Sequence, residues 1–227
     1  MNTKLSTSSI PIIKPRKMAK TSFNWLRILV HGFGLLPLAE LFYKWIFNQL
    51  TVNPIQFFEQ FLGRAALHML VLSLAVTPLV TLTGWKQPIK HRRALGLYAF
   101  FYFALHFLTF AVVDYGLNWR EILFLTVEKP FITVGALAGL ILLALAFTSF
   151  KFWMKRLGKN WSILHKTVYL AGGLVVLHYA WAIKGSVTTL SGDIVRPLIM
   201  GILVLFLLVL RIPVVKRWVI SIRKRIW

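Results

Sequence analysis

Twenty consecutive residues, 94–113, read ALGLYAFFYFALHFLTFAVV and contain no Asp, Glu, Lys or Arg. An α-helix rises about 1.5 Å per residue, so a run of this length crosses the ~30 Å hydrocarbon core of a bilayer. Similar apolar runs recur at about 25–46, 64–83, 130–150, 162–182 and 194–212. The sequence therefore predicts an all-α integral membrane protein, in which residues 25–212 form a bundle of six transmembrane helices.

The composition supports this fold class. Of the 227 residues, 58% are hydrophobic, and the mean hydropathy is +0.71. A soluble domain averages about 45–50% apolar residues. Six spans and their short loops use most of the chain, so the sequence predicts no catalytic domain outside the membrane.

The charges of the chain are sharply divided between the two sides of the predicted bundle. The formal net charge is +21. Basic residues gather in the segments 86–93 and 151–159 and in two predicted tails, 1–24 and 213–227, whereas all six acids fall on the other side. Because cytoplasmic loops are enriched in Lys and Arg, this pattern predicts that both termini are cytoplasmic. No basic face is interleaved with stacking aromatic residues, so we do not expect nucleic acid as a partner.

The chain has no cysteine. This excludes disulfides, thiolate metal sites, iron–sulfur clusters and the covalent attachment of c-type haem. Any haem must be held non-covalently by axial side chains.

Histidines are the residues most directly suggestive of chemistry. Five lie within predicted spans and the sixth, His91, lies just before the third; the five are His31, His68, His106, His165 and His178. An ionisable group costs at least a few kcal/mol in the hydrocarbon region unless it is paired, so such residues are candidates for function. Two imidazoles that face each other across a bundle are the axial ligands that a six-coordinate b-type haem requires.

Depth along the helices selects one pair of histidines. The helical rise puts His106 roughly 18 Å and His178 roughly 24 Å from the cytoplasmic ends of their spans, so both lie in the outer half. His165 and His31 belong to the inner half, while His68 also falls in the outer half and competes with the preferred pair. The sequence thus predicts an outer haem between His106 and His178.

An inner site is less well defined by the spacing. On an ideal helix His165 and His178 point about 140° apart in azimuth. Either the Gly172-Gly173 pair distorts the helix between them, or the two histidines face different partners. Gly172, Gly173 and Ala104 could also leave room for a porphyrin, or serve close helix packing.

Several short motifs carry a family resemblance: LGRAAL at 62–67, AVTP at 75–78, RRALGL at 92–97, LH at 105–106, LAFTS at 145–149, LGKNW at 157–161, LH at 164–165 and HY at 178–179. Together they closely resemble the haem-binding membrane subunit of the bacterial periplasmic protein-methionine-sulfoxide reductase system, within the ferric-reductase-like transmembrane family. The likeness covers about residues 25–212.

The resemblance implies a multi-pass protein of the bacterial cell inner membrane that binds one or two b-type haems. It implies electron transfer from membrane quinones or a cytosolic flavin reductase to a periplasmic molybdopterin-dependent methionine-sulfoxide reductase subunit, with FMN as a further cofactor. His106, His165 and His178 match the family's ligand positions. The fourth ligand position of the family, the inner one of span three, falls near Arg92 here, and His91 is displaced from it by one residue. This leaves His91, His31 or no second ligand for an inner iron.

Two other functions compete with this interpretation. A self-contained ferric or metal reductase-type cytochrome b appends a flavin and nicotinamide domain, and the chain contains no glycine-rich phosphate loop for one. A histidine-based proton or metal-ion transporter usually carries buried carboxylates as well, and only Glu40 falls plausibly within a span. The sequence therefore favours an electron-transfer subunit that does not itself reduce the final substrate.

Overall fold

The computed structural model describes residues 25–183 and 193–226, so the predicted basic tail 1–24 lies outside the described residues. Within the described ranges the regular elements are helices. They are α1 (Trp25–Ile46), α2 (Pro54–Thr83), a 3-10 turn (Gln87–His91), α3 (Arg92–Leu108) with a π-helical turn (Thr109–Asp114), α4 (Trp119–Glu128), α5 (Pro130–Phe147), α6 (Lys151–Leu157), α7 (Lys159–Lys166), α8 (Val168–Ala182), α9 (Val195–Val209) and α10 (Pro213–Ile226).

The all-α membrane fold is confirmed. Four helical segments are long and apolar enough to cross a bilayer: Trp25–Ile46, Pro54–Thr83, Gln87–Asp114 and Pro130–Phe147. A fifth candidate is the pair α9 and α10, which is bent by 78°. The chain is therefore a multi-pass membrane protein, while the count of six spans and the cytoplasmic position of both termini stay predictions.

The predicted fifth span, 162–182, is not one helix. It is divided at Thr167 into the end of α7 and the 15 residues of α8. The carbonyl of Leu164 accepts hydrogen bonds from both the Thr167 hydroxyl, at 2.7 Å, and the Thr167 amide, at 3.0 Å. The last turn of α7 is thus closed by Thr167 before α8 begins.

Helix α2 is the centre of the bundle and begins well before the predicted residue 64. Asn53 caps its first turn by accepting a hydrogen bond from the Gln56 amide at 3.1 Å, and Pro54 occupies the first turn, where no donor is lost. The helix packs against α1, α3, α8, α9 and α10. Its inward face includes Leu70 and Leu74, which are among the most completely buried side chains of the described chain.

Two helix pairs dominate the packing, α2 with α3 and α5 with α8, and contacts between α3 and α5 and between α2 and α8 join them. Charges separate along the bundle axis as the sequence predicts. We call the end that holds Glu59, Asp114 and α4 the acidic end, and the end that holds the turn 87–91, α6 and α10 the basic end. The candidate site lies between the two helix pairs.

Candidate functional site

The structure brings His106 and His178 together. His106 lies in the last turn of α3 and His178 in the C-terminal half of α8. Their ring centroids are 6.3 Å apart and their ring planes make an angle of 73°. Both side chains are only partly exposed, on the side of the bundle nearer the acidic end.

A backbone carbonyl fixes the tautomer of each ring. His106 Nδ1 lies 2.9 Å from the carbonyl oxygen of Glu59 in α2, and His178 Nδ1 lies 2.7 Å from the carbonyl oxygen of Phe131 in α5. A carbonyl oxygen can only accept, so each Nδ1 carries the proton and donates it. Each Nε2 therefore carries a lone pair, and no group of the described residues donates to it. A hydrogen bond that Nδ1 donates to a carbonyl in this way usually supports a histidine whose Nε2 binds a metal.

A glycine faces each ring from the neighbouring helix. A methyl group at Gly63 of α2 would lie 3.4 Å from the His106 ring, and one at Gly135 of α5 would lie 2.6 Å from Nδ1 of His178. The second distance is far below van der Waals contact, so His178 can take its observed position only because residue 135 has no side chain. Each ring is thus held between a backbone acceptor and a glycine one helical turn further along the same helix.

The separation of the rings fits a bis-imidazole metal site. A metal–imidazole bond is about 2.0–2.1 Å long, so two nitrogens on opposite sides of one metal lie about 4 Å apart and their ring centroids roughly 6 Å apart. The observed 6.3 Å matches this value. Among the described residues there is no group of three or more His, Cys, Asp or Glu side chains that could hold a metal ion. A porphyrin supplies four nitrogens of its own, so a haem iron would need no more than two ligands from the protein.

His165 lies apart from this pair, near the basic end. Its ring stacks on the Trp161 indole with centroids 4.0 Å apart, and its Nε2 lies 3.2 Å from the Thr148 hydroxyl oxygen. The Trp161 indole N–H donates to the Thr148 carbonyl at 2.9 Å, which ties the start of α7 to the end of α5. The described contacts of His165 are thus with Trp161 and Thr148, and none is with a second histidine.

The other three histidines have separate surroundings. His91 ends the 3-10 turn and is buried, while His31 is exposed on α1 and its Nδ1 lies 2.9 Å from the Tyr98 hydroxyl oxygen. Helix α1 packs against the turn that carries His91. His68 is exposed on α2 and does not join His106 and His178, so it is not the competitor that its depth suggested.

The Gly172-Gly173 pair does not distort α8, which is one regular helix from Val168 to Ala182. A methyl group at Gly172 would lie 3.2 Å from Leu74 Cδ1 and 3.6 Å from Val204 Cγ1, so this glycine serves close packing of α8 against α2 and α9. Gly173 faces open space. The helix between His165 and His178 is interrupted instead at Thr167.

Sequence reasoning missed the four residues that hold the paired rings. Glu59 and Phe131 act through their carbonyls, which side-chain identity does not reveal. Gly63 and Gly135 did carry a signal, because an isolated glycine inside a helix costs about 1 kcal/mol relative to alanine and usually has a packing or functional reason.

Comparison with known proteins gives a consistent result. Residues 62–177 match the family described as the ferric reductase like transmembrane component. A protein of Herminiimonas arsenicoxydans named "Protein-methionine-sulfoxide reductase heme-binding subunit MsrQ" is 42% identical over 180 residues, which cover 79% of this chain and 80% of that protein. Proteins with the same name from Xanthomonas axonopodis pv. citri and Bordetella parapertussis are 41% and 40% identical, covering 75% and 81% of this chain and 82% and 86% of the relatives.

Proposed function

The chain belongs to the ferric reductase like transmembrane family and, within it, to the MsrQ haem-binding subunits, and from this premise we propose that it is the b-type haem electron-transfer subunit of a protein-methionine-sulfoxide reductase system. The observation that carries the proposal is the pair His106 and His178, whose ring centroids lie 6.3 Å apart, near the roughly 6 Å expected for two imidazoles that bind one metal ion. The Nε2 atoms of these two residues would bind the iron.

The surrounding residues orient the two ligands. The carbonyls of Glu59 and Phe131 hold the protons on Nδ1, so Nε2 is the nitrogen of each ring that would bind the iron. Gly63 and Gly135 let the rings approach α2 and α5. A bound haem iron would carry one electron at a time by changing between the ferric and ferrous states.

The position of the pair fits delivery of electrons to the acidic end. His106 lies only one turn before α3 passes into the π-helical turn 109–114. By the excess of Lys and Arg at the opposite end, the acidic end faces the periplasm of a bacterial inner membrane. The acceptor in this proposal is the periplasmic, molybdopterin-dependent subunit that reduces oxidised methionine.

Electrons would enter from the basic end. His165 lies on that side and would bind a second, inner haem. The other ligand of this haem would be His91 or His31, or it would have no second ligand. The proposed donors are membrane quinones or a cytosolic flavin reductase, with FMN as a further cofactor to which the structure assigns no residue.

The test is an absorption spectrum of the full chain purified with haem supplied. We expect a Soret band and, on reduction, sharp α and β bands of a six-coordinate haem. Replacing His106 or His178 by Ala should remove most of this haem, whereas His68→Ala, which changes an outward-facing histidine at a similar depth, should keep it. Full haem retention in both variants of the pair would overturn the ligand assignment, and a colourless wild-type protein would favour the transporter interpretation.

A further inference from the structure

A cavity opens at the basic end, away from the histidines. Its volume is about 190 Å³, and it lies between the C-terminal end of α2, the 3-10 turn and α10. Its walls are formed by Thr77, Val80, Thr81, Gly84, Lys86, Ile89, Lys216, Ile220 and Arg223. We call it the α2–α10 pocket.

The bend between α9 and α10 builds this pocket. The two helices meet at 78°, so α10 turns across the end of the bundle and packs against α2. Arg223 then caps α2, because its Nη1 donates to the carbonyls of Thr81 at 2.8 Å and Val80 at 3.2 Å. Gly84 ends α2 in the left-handed conformation, with φ of 77°, and leaves space beside the guanidinium group.

The pocket is strongly cationic. Lys86, Lys216 and Arg223 all line it, and no acid does. The six acids of the chain are Glu40, Glu59, Asp114, Glu121, Glu128 and Asp193, and none lies at this end of the bundle. Since no acidic side chain of the described residues lies beside the three cations, the pocket can accept the negative charge of another molecule.

The surroundings indicate that this molecule is a membrane lipid. The pocket lies where α2 ends, at the level of lipid headgroups. Helix α10 carries its basic residues beside exposed apolar ones, including Val214 and Trp218, at 66% and 64% exposure, as helices that lie in the membrane interface do. Val80, Ile89 and Ile220 give the pocket an apolar wall against which glycerol and the first acyl carbons can pack.

We propose that the α2–α10 pocket binds the phosphate of an anionic phospholipid, with Lys86 and Lys216 as the main contacts and Arg223 as a fixed third cation. Basic pockets between membrane helices are known to recognise such headgroups. The phosphate of FMN shares this chemistry, but about 190 Å³ lies below the roughly 300–1,000 Å³ of sites that enclose a drug-sized ligand. The proposal does not depend on haem binding.

The test compares two double variants with the same loss of charge. Lys86→Gln/Lys216→Gln removes two cations from the pocket, and Lys90→Gln/Arg217→Gln removes two exposed cations that lie on the same elements but do not line it. Phosphatidylglycerol is titrated into the full chain in phosphatidylcholine nanodiscs, and native mass spectrometry counts the retained lipid. A direct hydrogen bond to a charged phosphate contributes roughly tenfold or more to binding, whereas a nearby cation without such a contact contributes at most about fivefold through the surface potential. The pocket variant should therefore bind at least about 100-fold more weakly, and the control at most about 25-fold.

Three results would overturn the proposal. Equal losses in the two variants would mean that net charge alone attracts the lipid, and no loss in either would mean that the pocket holds none. In a separate arm without anionic lipid, FMN and inorganic phosphate are titrated; selective loss of FMN binding in the pocket variant, with phosphatidylglycerol binding unchanged, would assign the pocket to a nucleotide instead. Unchanged helical content and haem spectrum in both variants would show that the fold is intact.

Discussion

Replacing Gly135 by Ala tests the central geometry of the site without touching either candidate ligand. The added methyl group would lie 2.6 Å from Nδ1 and 2.8 Å from Cε1 of His178. Because both distances are too short, the ring must move away from α5 and its hydrogen bond to the Phe131 carbonyl, 2.7 Å in the structure, must lengthen or break. The variant thus displaces the His178 ring by adding a single carbon atom to residue 135.

The size of the effect follows from the crowding of the His178 ring and from the loss of its hydrogen bond to the Phe131 carbonyl. Overpacking by one methyl group typically costs about 1–3 kcal/mol, and loss of one neutral hydrogen bond about 0.5–1.5 kcal/mol. Loss of the supporting bond of a metal-binding histidine typically reduces affinity about 10–100-fold, which corresponds to about 1.4–2.7 kcal/mol. We therefore expect Gly135→Ala to bind haem about 10–100-fold more weakly than the wild type.

The assay is a haem titration of the apoprotein in nanodiscs, followed by the Soret band, with thermal unfolding of each variant as a check on folding. Gly173→Ala is the matched control, since it adds the same methyl group to α8 where nothing lies within 4 Å. Gly63→Ala should fall between the two, because its methyl group would meet the His106 ring at 3.4 Å. Equal haem affinity of Gly135→Ala and Gly173→Ala, in equally stable proteins, would refute the described placement of His178.

Three further predictions concern residues outside this contact. Tyr102→Phe removes a buried hydroxyl that donates to the Gly34 carbonyl at 2.6 Å. We therefore expect the free energy of unfolding, measured by thermal unfolding, to fall by about 1–3 kcal/mol, with the haem spectrum unchanged. Arg211 donates from two separate nitrogens, to the Tyr169 hydroxyl at 2.8 Å and to the Leu74 carbonyl of α2, and the single nitrogen of a shorter Lys side chain does not reproduce this fork. Arg211→Lys should therefore destabilise the protein nearly as much as Arg211→Ala, and full stability of the Lys variant would contradict this. His165→Ala should leave the bands of the His106–His178 haem in place and lower the measured haem-to-protein ratio only if an inner haem exists.

The sequence predicts the features that depend on local periodicity. Apolar runs and helical rise predict the membrane fold and suggest that His106 and His178 share a level, because both rest on the fixed geometry of one helix at a time. It fails where a local signal has two meanings. Helix α2 begins at Pro54 and not near the predicted residue 64, since Asn53 is a good cap and Pro is accepted in the first helical turn.

Other features could not be predicted because they depend on contacts between helices. The break at Thr167 occurs without a glycine or proline, in a run that is otherwise suitable for one helix. The carbonyls that hold the two rings belong to residues 47 positions earlier in the chain, on separate helices. Whether an isolated glycine packs against a helix, as Gly172 does, or against a histidine, as Gly135 does, is decided by tertiary structure alone.

His106 and His178 are each 47 residues from the residue whose carbonyl accepts their hydrogen bond, which indicates that two halves of the bundle, α2–α3 and α5–α8, are built alike. His106 with the Glu59 carbonyl and His178 with the Phe131 carbonyl show the same chain distance, and in each half the facing glycine comes one helical turn after the acceptor. Helices α2 and α5 both start at the acidic end, so the helix pairs α2–α3 and α5–α8 run in the same order along the bundle. The equal chain distances bring His106 and His178 to corresponding positions of the two pairs, where their ring centroids lie 6.3 Å apart. When His106 is matched with His178 in this way, the position that corresponds to His165 is Arg93, so the matched pair of histidines is not repeated near the basic end.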